Sequence, residues 1–265
     1  MKLFKYTFVL FLSLFLVACN GSSTIDETDS NMRTADDVIS DFQAITLQPG
    51  INDLKLETFV TGVYWDFRVI APTDASESNK RPLVLTFHGA SGGSPTAHKN
   101  TDCYDEPGLA ALNAYIISPN AGQGEWYDQE NQQQVLALLD LAKTFWFVDS
   151  DKILATGYSN GGNASWFYAD YYGDLFTAAI PMASSYNPQR ANGTVPKIDV
   201  PLYVIHGSDD ELFPVSQTQQ YVDLSIAAGS SIEFVIGEGL SHYKPCEYVE
   251  ELKIAVDWVQ TEVWD

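Results

Sequence analysis

Two periods of apolar and polar positions alternate along this chain. Short runs rich in β-branched and aromatic residues recur at 54–60, 63–70, 83–87, 114–118, 153–157, 177–183, 202–206 and 232–236. Each reads as a strand. From 83–87 onward the runs are separated by stretches of helical period. Val135, Leu138, Leu139, Ala142 and Phe145 share one helical face before the run at 153–157. Val249, Leu252, Val256 and Val259 do the same near the end, and 163–172 also reads as a helix. These stripes are core. Strands alternating with helices predict an α/β domain with a mostly parallel central sheet flanked by helices. The chain has no internal repeat and no insertion long enough for a separate lid domain.

The first residues break this pattern. Met1 to Lys5 form a short basic stretch, and 6–17 are nearly all apolar. Such a run is too short for a comfortable membrane span and reads as a signal peptide. It ends in Leu16-Val17-Ala18-Cys19, which resembles the bacterial lipoprotein signal, where the cysteine is lipidated and heads the mature chain. Residues 20–41 are rich in Ser, Thr, Asn and Asp and read as a flexible acidic tether. The expected organisation is a signal over 1–18, a tether over 19–41 and one folded domain over 42–265. That domain is large enough for a single sizeable core.

Candidate chemistry centres on Gly157-Tyr158-Ser159-Asn160-Gly161, which lies between the strand at 153–157 and the helix at 163–172. A strand entering a helix through G-x-S-x-G resembles the nucleophile elbow of the α/β-hydrolases. The turn is tight enough to strain the serine backbone, and glycine on both sides leaves room for it. A serine nucleophile needs a base, and the chain has four histidines: His88, His98, His206 and His242. His88 and His206 each close an apolar run before a glycine, which fits a histidine packed under a turn. His98 precedes Ser159, against the order Ser, Asp or Glu, then His in this fold. His242 comes last and is the expected base. The acid should lie in the loop after 202–206, where Asp209, Asp210 and Glu211 stand in a row. Chemistry alone leaves that choice open. Asn160, directly after the nucleophile, should supply one backbone donor of an oxyanion hole. Ala90, in Gly89-Ala90-Ser91-Gly92-Gly93, is the expected second donor. Neither a dinucleotide fingerprint nor a phosphate-loop lysine motif occurs, so the glycine-rich loop is not read as a phosphate cradle.

Charge and cysteines narrow the setting. The chain carries 14 basic and 35 acidic residues, a formal charge of −21, and loss of 1–18 would remove Lys2 and Lys5 and make it −23. Such a surface repels nucleic acid and anionic polymers, so no nucleic-acid partner is expected. A neutral or weakly charged substrate fits best. Cys103 and Cys246 remain beyond Cys19. Both fall in loops expected at the catalytic edge of an exported protein, and a disulfide between them is expected. No Cys/His spacing suggests zinc and no acidic pattern suggests a calcium loop. Neither metal nor cofactor is expected.

Together, 83–93, Gly157 to Gly162 and His206-Gly207 through Pro214 resemble the polyhydroxybutyrate depolymerase and feruloyl esterase group of α/β-hydrolases. The stretch 132–183 adds to that resemblance, which runs from about Pro82 to the C-terminus. In such enzymes the loop after the penultimate strand reads H-G-x-x-D-x-x-[VI]-P, which places the acid on Asp210, with Phe213 departing mildly at an apolar position. Ser241-His242-Tyr243-Lys244-Pro245 departs further from the Gly-His-x-Trp-Pro often found there. The resemblance implies an α/β-hydrolase fold and a secreted serine carboxylester hydrolase, tethered to a membrane through lipid on Cys19. Its triad would be Ser159, His242 and Asp210, with an ester substrate. The alternatives are a serine peptidase of the prolyl-oligopeptidase type, for whose propeller the sequence shows no stretch, and a ligand-binding lipoprotein without activity. A dienelactone-hydrolase type is set aside because it would want Cys in place of Ser159.

Overall fold

A computed structural model of the chain describes residues 31–265. The expected signal and Cys19 lie outside the described residues. Eight strands form one sheet: β1 Gly50–Glu57, β2 Tyr64–Ala71, β3 Arg81–Phe87, β4 Tyr115–Pro119, β5 Val148–Tyr158, β6 Ala178–Met182, β7 Leu202–Asp209 and β8 Ile232–Ser241. Their order across the sheet is β1-β2-β4-β3-β5-β6-β7-β8. The pairs β1–β2 and β2–β4 are antiparallel, and β4–β3 through β7–β8 are parallel. Every strand expected from the sequence overlaps one of these.

Burial on both faces explains the parallel strands. β3, β4 and β6 have almost no exposed position, as expected where helices cover both sides. Alternate side chains feed two cores. Leu85, Phe87, Ala155 and Val204 face one core, whose helical side includes Val135 and Leu138 of α3 (Gln129–Phe145), Trp166 and Tyr168 of α4 (Asn160–Tyr171), and Val222 of α5 (Val215–Ala227). Val84, Leu154, Tyr203 and Ile205 face the other, which is closed by Tyr104 of α2 (Asp102–Gly108) and Leu252 and Val256 of α6 (Val249–Trp258). Among the described residues no helix is long and apolar enough to cross a membrane.

One boundary differs from the sequence expectation. The tether expected through Asp41 yields earlier to a helix, α1 (Ala35–Gln43), closed by a capping box between Thr34 and Asp37. The Thr34 hydroxyl accepts the Asp37 N–H at 3.2 Å, and the Asp37 carboxylate accepts the Thr34 N–H at 2.9 Å. Val38 and Phe42 point inward and are buried, with Phe42 stacked on Trp146 at 5.0 Å. Acidic composition masked a one-faced apolar helix: an N-cap signal followed by residues four apart.

Disulfide and helix make separate claims on stability. Cys103 on α2 and Cys246 in the turn before α6 are joined as expected, with Cα atoms 5.2 Å apart and a sequence separation of 143. Converting both to Ser should cost a few kcal/mol and lower the unfolding midpoint. Two free thiols titrated in the denatured, unreduced domain lacking Cys19 would contradict the bond. Phe42→Ala should cost roughly 3 kcal/mol and lower the midpoint by roughly 6–12 °C. An unchanged midpoint would mean that α1 is not docked.

Candidate active site

The elbow is built by close backbone packing. Ser159 sits at φ 58° and ψ −118°, a rarely populated region for a residue with a side chain. A Cβ at Gly161 would lie 1.8 Å from the Phe87 carbonyl, and one at Gly157 would lie 2.4 Å from the Gly161 carbonyl. Only glycine allows β3, β5 and α4 to meet this closely. The strained serine is fixed from both sides, since its N–H donates to Met182 O at 3.0 Å and its carbonyl accepts from Asn163 N at 3.0 Å.

Three loops at the same sheet edge bring Ser159, His242 and Asp210 together. Ser159 Oγ lies 2.9 Å from His242 Nε2, and His242 Nδ1 lies 2.8 Å from Asp210 Oδ2. Asp210 Oδ1 accepts the Leu212 and Phe213 amides at 2.9 and 2.7 Å. Burial alone would raise the Asp210 carboxyl, but hydrogen bonds from His242 and these amides outweigh it and hold the group below its ordinary value. It faces the imidazole as a carboxylate. Asp209 is exposed and accepts only the neighbouring Ser208 hydroxyl among the described hydrogen bonds.

Several supporting residues were invisible to motif reading. Glu211 accepts the His242 N–H at 2.9 Å and both Ser241 Oγ contacts at 2.8 and 2.9 Å. The Ser241 hydroxyl, its strongest partner, and the His242 amide hold its carboxyl below the ordinary range. Tyr158 donates its hydroxyl to His242 O at 2.8 Å. His242 is therefore held by its own N–H, its own carbonyl and its ring, with Phe213 edge-on at 5.2 Å. Tyr158 precedes the nucleophile and Glu211 follows the acid, but their roles depend on a loop brought in from more than 30 residues away.

The two expected oxyanion donors are placed differently along the backbone. Asn160 is the first residue of α4, so its N–H has no partner within the helix, and the positive end of the helix points at Ser159. The Gly89 loop packs directly on the nucleophile, because a Cβ at Gly89 would lie 3.5 Å from Ser159 Cβ. His88 orients the next peptide. Its Nε2 accepts the Ala121 N–H at 3.1 Å, which leaves Nδ1 protonated to donate to Gly89 O at 2.7 Å. In a trans peptide the Ala90 N–H then points the opposite way from that carbonyl, and it has no backbone partner among the described hydrogen bonds. Burial pushes the His88 imidazole down and keeps it neutral. His206 is fully buried and also lowered by burial, with Nε2 donating to Phe213 O at 2.8 Å beneath the acid loop. His98 is buried against Asn120. His88 and His206 fit the packing role expected for them, whereas the burial of His98, expected in a polar loop, was not foreseen.

Glu125 completes the rim. Its Oε2 accepts the Asn160 side-chain amide at 2.8 Å, and its backbone is pinned by Asp128 and Asn131. Among the described residues no cluster of three or more His, Cys, Asp or Glu side chains is arranged to hold a metal ion. What the arrangement can do chemically is deprotonate a serine hydroxyl and accept a developing oxyanion.

Replacing the acids separates their roles. Asp210→Asn should lower kcat by orders of magnitude, on the scale of the roughly 10⁴ loss known for the matching change in trypsin. Asp209→Asn should stay near the unmodified rate. Reversed results in steady-state ester hydrolysis would move the acid to Asp209.

Comparison with known proteins places this geometry. The dienelactone hydrolase family matches residues 117–245, just under half of the chain. That span includes Ser159, Asp210 and His242, with Ser where the sequence reading expects a dienelactone-hydrolase type to carry Cys. No curated protein sequence matches the chain. Among solved structures, a thermostable esterase superposes with a TM-score of 0.66 at 20% identity, covering 84% of this chain, which spans 63% of that esterase. FphF of Staphylococcus aureus, described as a fluorophosphonate-binding serine hydrolase, gives 0.63 at 17% identity over 81% of this chain and 100% of its own. Est1E from Butyrivibrio proteoclasticus gives 0.59 at 18% identity, over 79% and 98%. The sheet order, the flanking helices and these likenesses establish the α/β-hydrolase fold.

Proposed function

We propose that this chain is a serine carboxylester hydrolase, exported and held at a membrane by lipid on Cys19. The observation that carries the reading is the unbroken relay from Ser159 Oγ through His242 to Asp210, at 2.9 and 2.8 Å, on a strained elbow. His242 Nε2 takes the Ser159 proton as Oγ attacks the ester carbonyl. The N–H groups of Asn160 and Ala90 hold the resulting oxyanion. His242 then protonates the departing alcohol, leaving an acyl group on Ser159. A water deprotonated by the same imidazole attacks that acyl group, and the acid product leaves with Ser159 reprotonated. Asp210 fixes the tautomer and stabilises the imidazolium in both halves.

Resemblance in the motif loops supports an aryl or feruloyl ester, or a polyester, as substrate. The basic, apolar and Leu16-Val17-Ala18-Cys19 sequence supports export and lipidation. The acidic chain supports a neutral ester over an anionic one.

A fluorophosphonate probe should label the chain at Ser159 alone, and Ser159→Ala should remove both labelling and ester hydrolysis with the fold intact. Labelling that persists in the variant would contradict the assignment. An unlabelled, folded parent chain would favour a ligand-binding protein. A panel of p-nitrophenyl esters, feruloyl esters and peptide anilides fixes the class, and faster turnover of the anilides would favour a peptidase.

A further inference from the structure

We propose that a groove along α4, beside the Ser159 site, is a docking site for an uncharged polysaccharide chain. The helix is buried on most sides: Asn160, Asn163 and Phe167 are partly exposed, Tyr171 is exposed, and Asp170 is partly exposed as a residue although its side chain is buried. Asn163, Phe167 and Tyr171 continue, at four-residue spacing, the helical face that starts at Ser159. Such a solvent stripe is ordinarily polar, yet here it carries two aromatic rings. At 1.5 Å per residue, Phe167 lies about 12 Å and Tyr171 about 18 Å along the axis from the nucleophile.

These rings line an open trough of about 660 Å³ with Tyr127, Tyr186 and Arg190. Phe167 lies 6.3 Å from the Tyr127 ring and 4.8 Å from Tyr171. Tyr127 and Tyr171 are 55% and 54% exposed, which is unusual for rings grouped in one concavity. The platform is rigid. Arg190 sits 4.2 Å over the Tyr171 ring and grips both oxygens of Asp170 at 2.7 and 2.6 Å. The Asp170 side chain is 1% exposed and also accepts the Tyr186 hydroxyl at 2.6 Å.

The lining chemistry selects the occupant. Flat, exposed rings suit the apolar faces of sugar rings, and the side-chain amides of Asn187 and Gln189 in the same trough suit hydroxyl groups, while the Gln132 amide is taken up by Tyr127 O and the Tyr172 hydroxyl. Asn187 Nδ2 has no protein partner among the described hydrogen bonds. The one ion pair in the trough is internally matched, so no charge is left for an ionic ligand, and a chain of −21 repels polyanions. Continuity with the reaction site follows from the loop after β4. Tyr127 lies two residues from Glu125, whose carboxylate touches Asn160. A polymer held here would present ester substituents to Ser159, a use that rests on the proposed hydrolase activity, whereas binding itself does not.

Affinity electrophoresis of the Ser159→Ala chain in gels containing arabinoxylan, mixed-linkage β-glucan or polygalacturonate tests the proposal. Retardation by at least one neutral glycan and none by polygalacturonate is expected. Tyr127→Ala with Tyr171→Ala should weaken that retardation about 10-fold or more. The same pair in the Ser159 background should leave p-nitrophenyl acetate hydrolysis and the unfolding midpoint near those of the parent. No retardation by either neutral glycan, equal retardation by the polyanion, or retardation that survives the double change would overturn the site. So would sedimentation showing that the two tyrosines instead hold a dimer. Loss of hydrolysis in the parent chain, with glycan binding intact, would count against the esterase reading and leave the groove standing.

Discussion

The backbone of Ser159 is the constraint on which the rest of the site depends. Its φ and ψ cost on the order of 1–3 kcal/mol and persist only because surrounding structure over-determines them. Phe87 O, the Gly161 carbonyl and Met182 O crowd the turn from three elements, two parallel strands and the start of α4. The parallel register of β3, β5 and β6 sets those atoms in place. Once the turn is forced, the hydroxyl stands at the sheet edge and α4 begins directly behind it. The Ser159 hydroxyl and the helix N-terminus are therefore fixed by one local geometry.

The second requirement is a histidine held still on a loop. A free loop would sample many orientations, and each immobilised group carries an entropic cost. Here the His242 loop is tied by Glu211 and Tyr158 through its backbone, by Asp210 through its ring and by the Cys103–Cys246 bond four residues on. The acid in turn rests on the Leu212 and Phe213 amides, while buried His206 holds the Phe213 carbonyl. These contacts let the relay assemble before substrate arrives, which is the condition for electrostatic preorganisation.

Much of this was legible in the chain because periodicity and spacing are local. The eight strands, the α3, α4 and α6 stripes and the Ser159 elbow all announce themselves within a dozen residues. The choice between Asp209 and Asp210 was not local. The two differ in whether the carboxyl turns inward under Phe213 or outward beside Ser208, which only the resemblance to a longer loop pattern could foresee. Glu125, Glu211 and the orienting contact of His88 depend on loops converging from distant strands, and no pairwise spacing encodes them. α1 was missed for a different reason. Its Thr34 cap and its Val38 and Phe42 stripe are local signals, but the acidic residues around them read as a solvated tether.

Under the proposed function, these groups form a covalent acyl-transfer site ready in the resting chain. Rapid mixing with a p-nitrophenyl ester, followed by acid quenching and peptide mapping by mass spectrometry, tests this most directly. The account predicts a burst approaching one leaving group per chain when deacylation is the slower step, and an acyl group on the peptide holding Ser159. Turnover of the ester with the acyl group trapped on any other residue would contradict it.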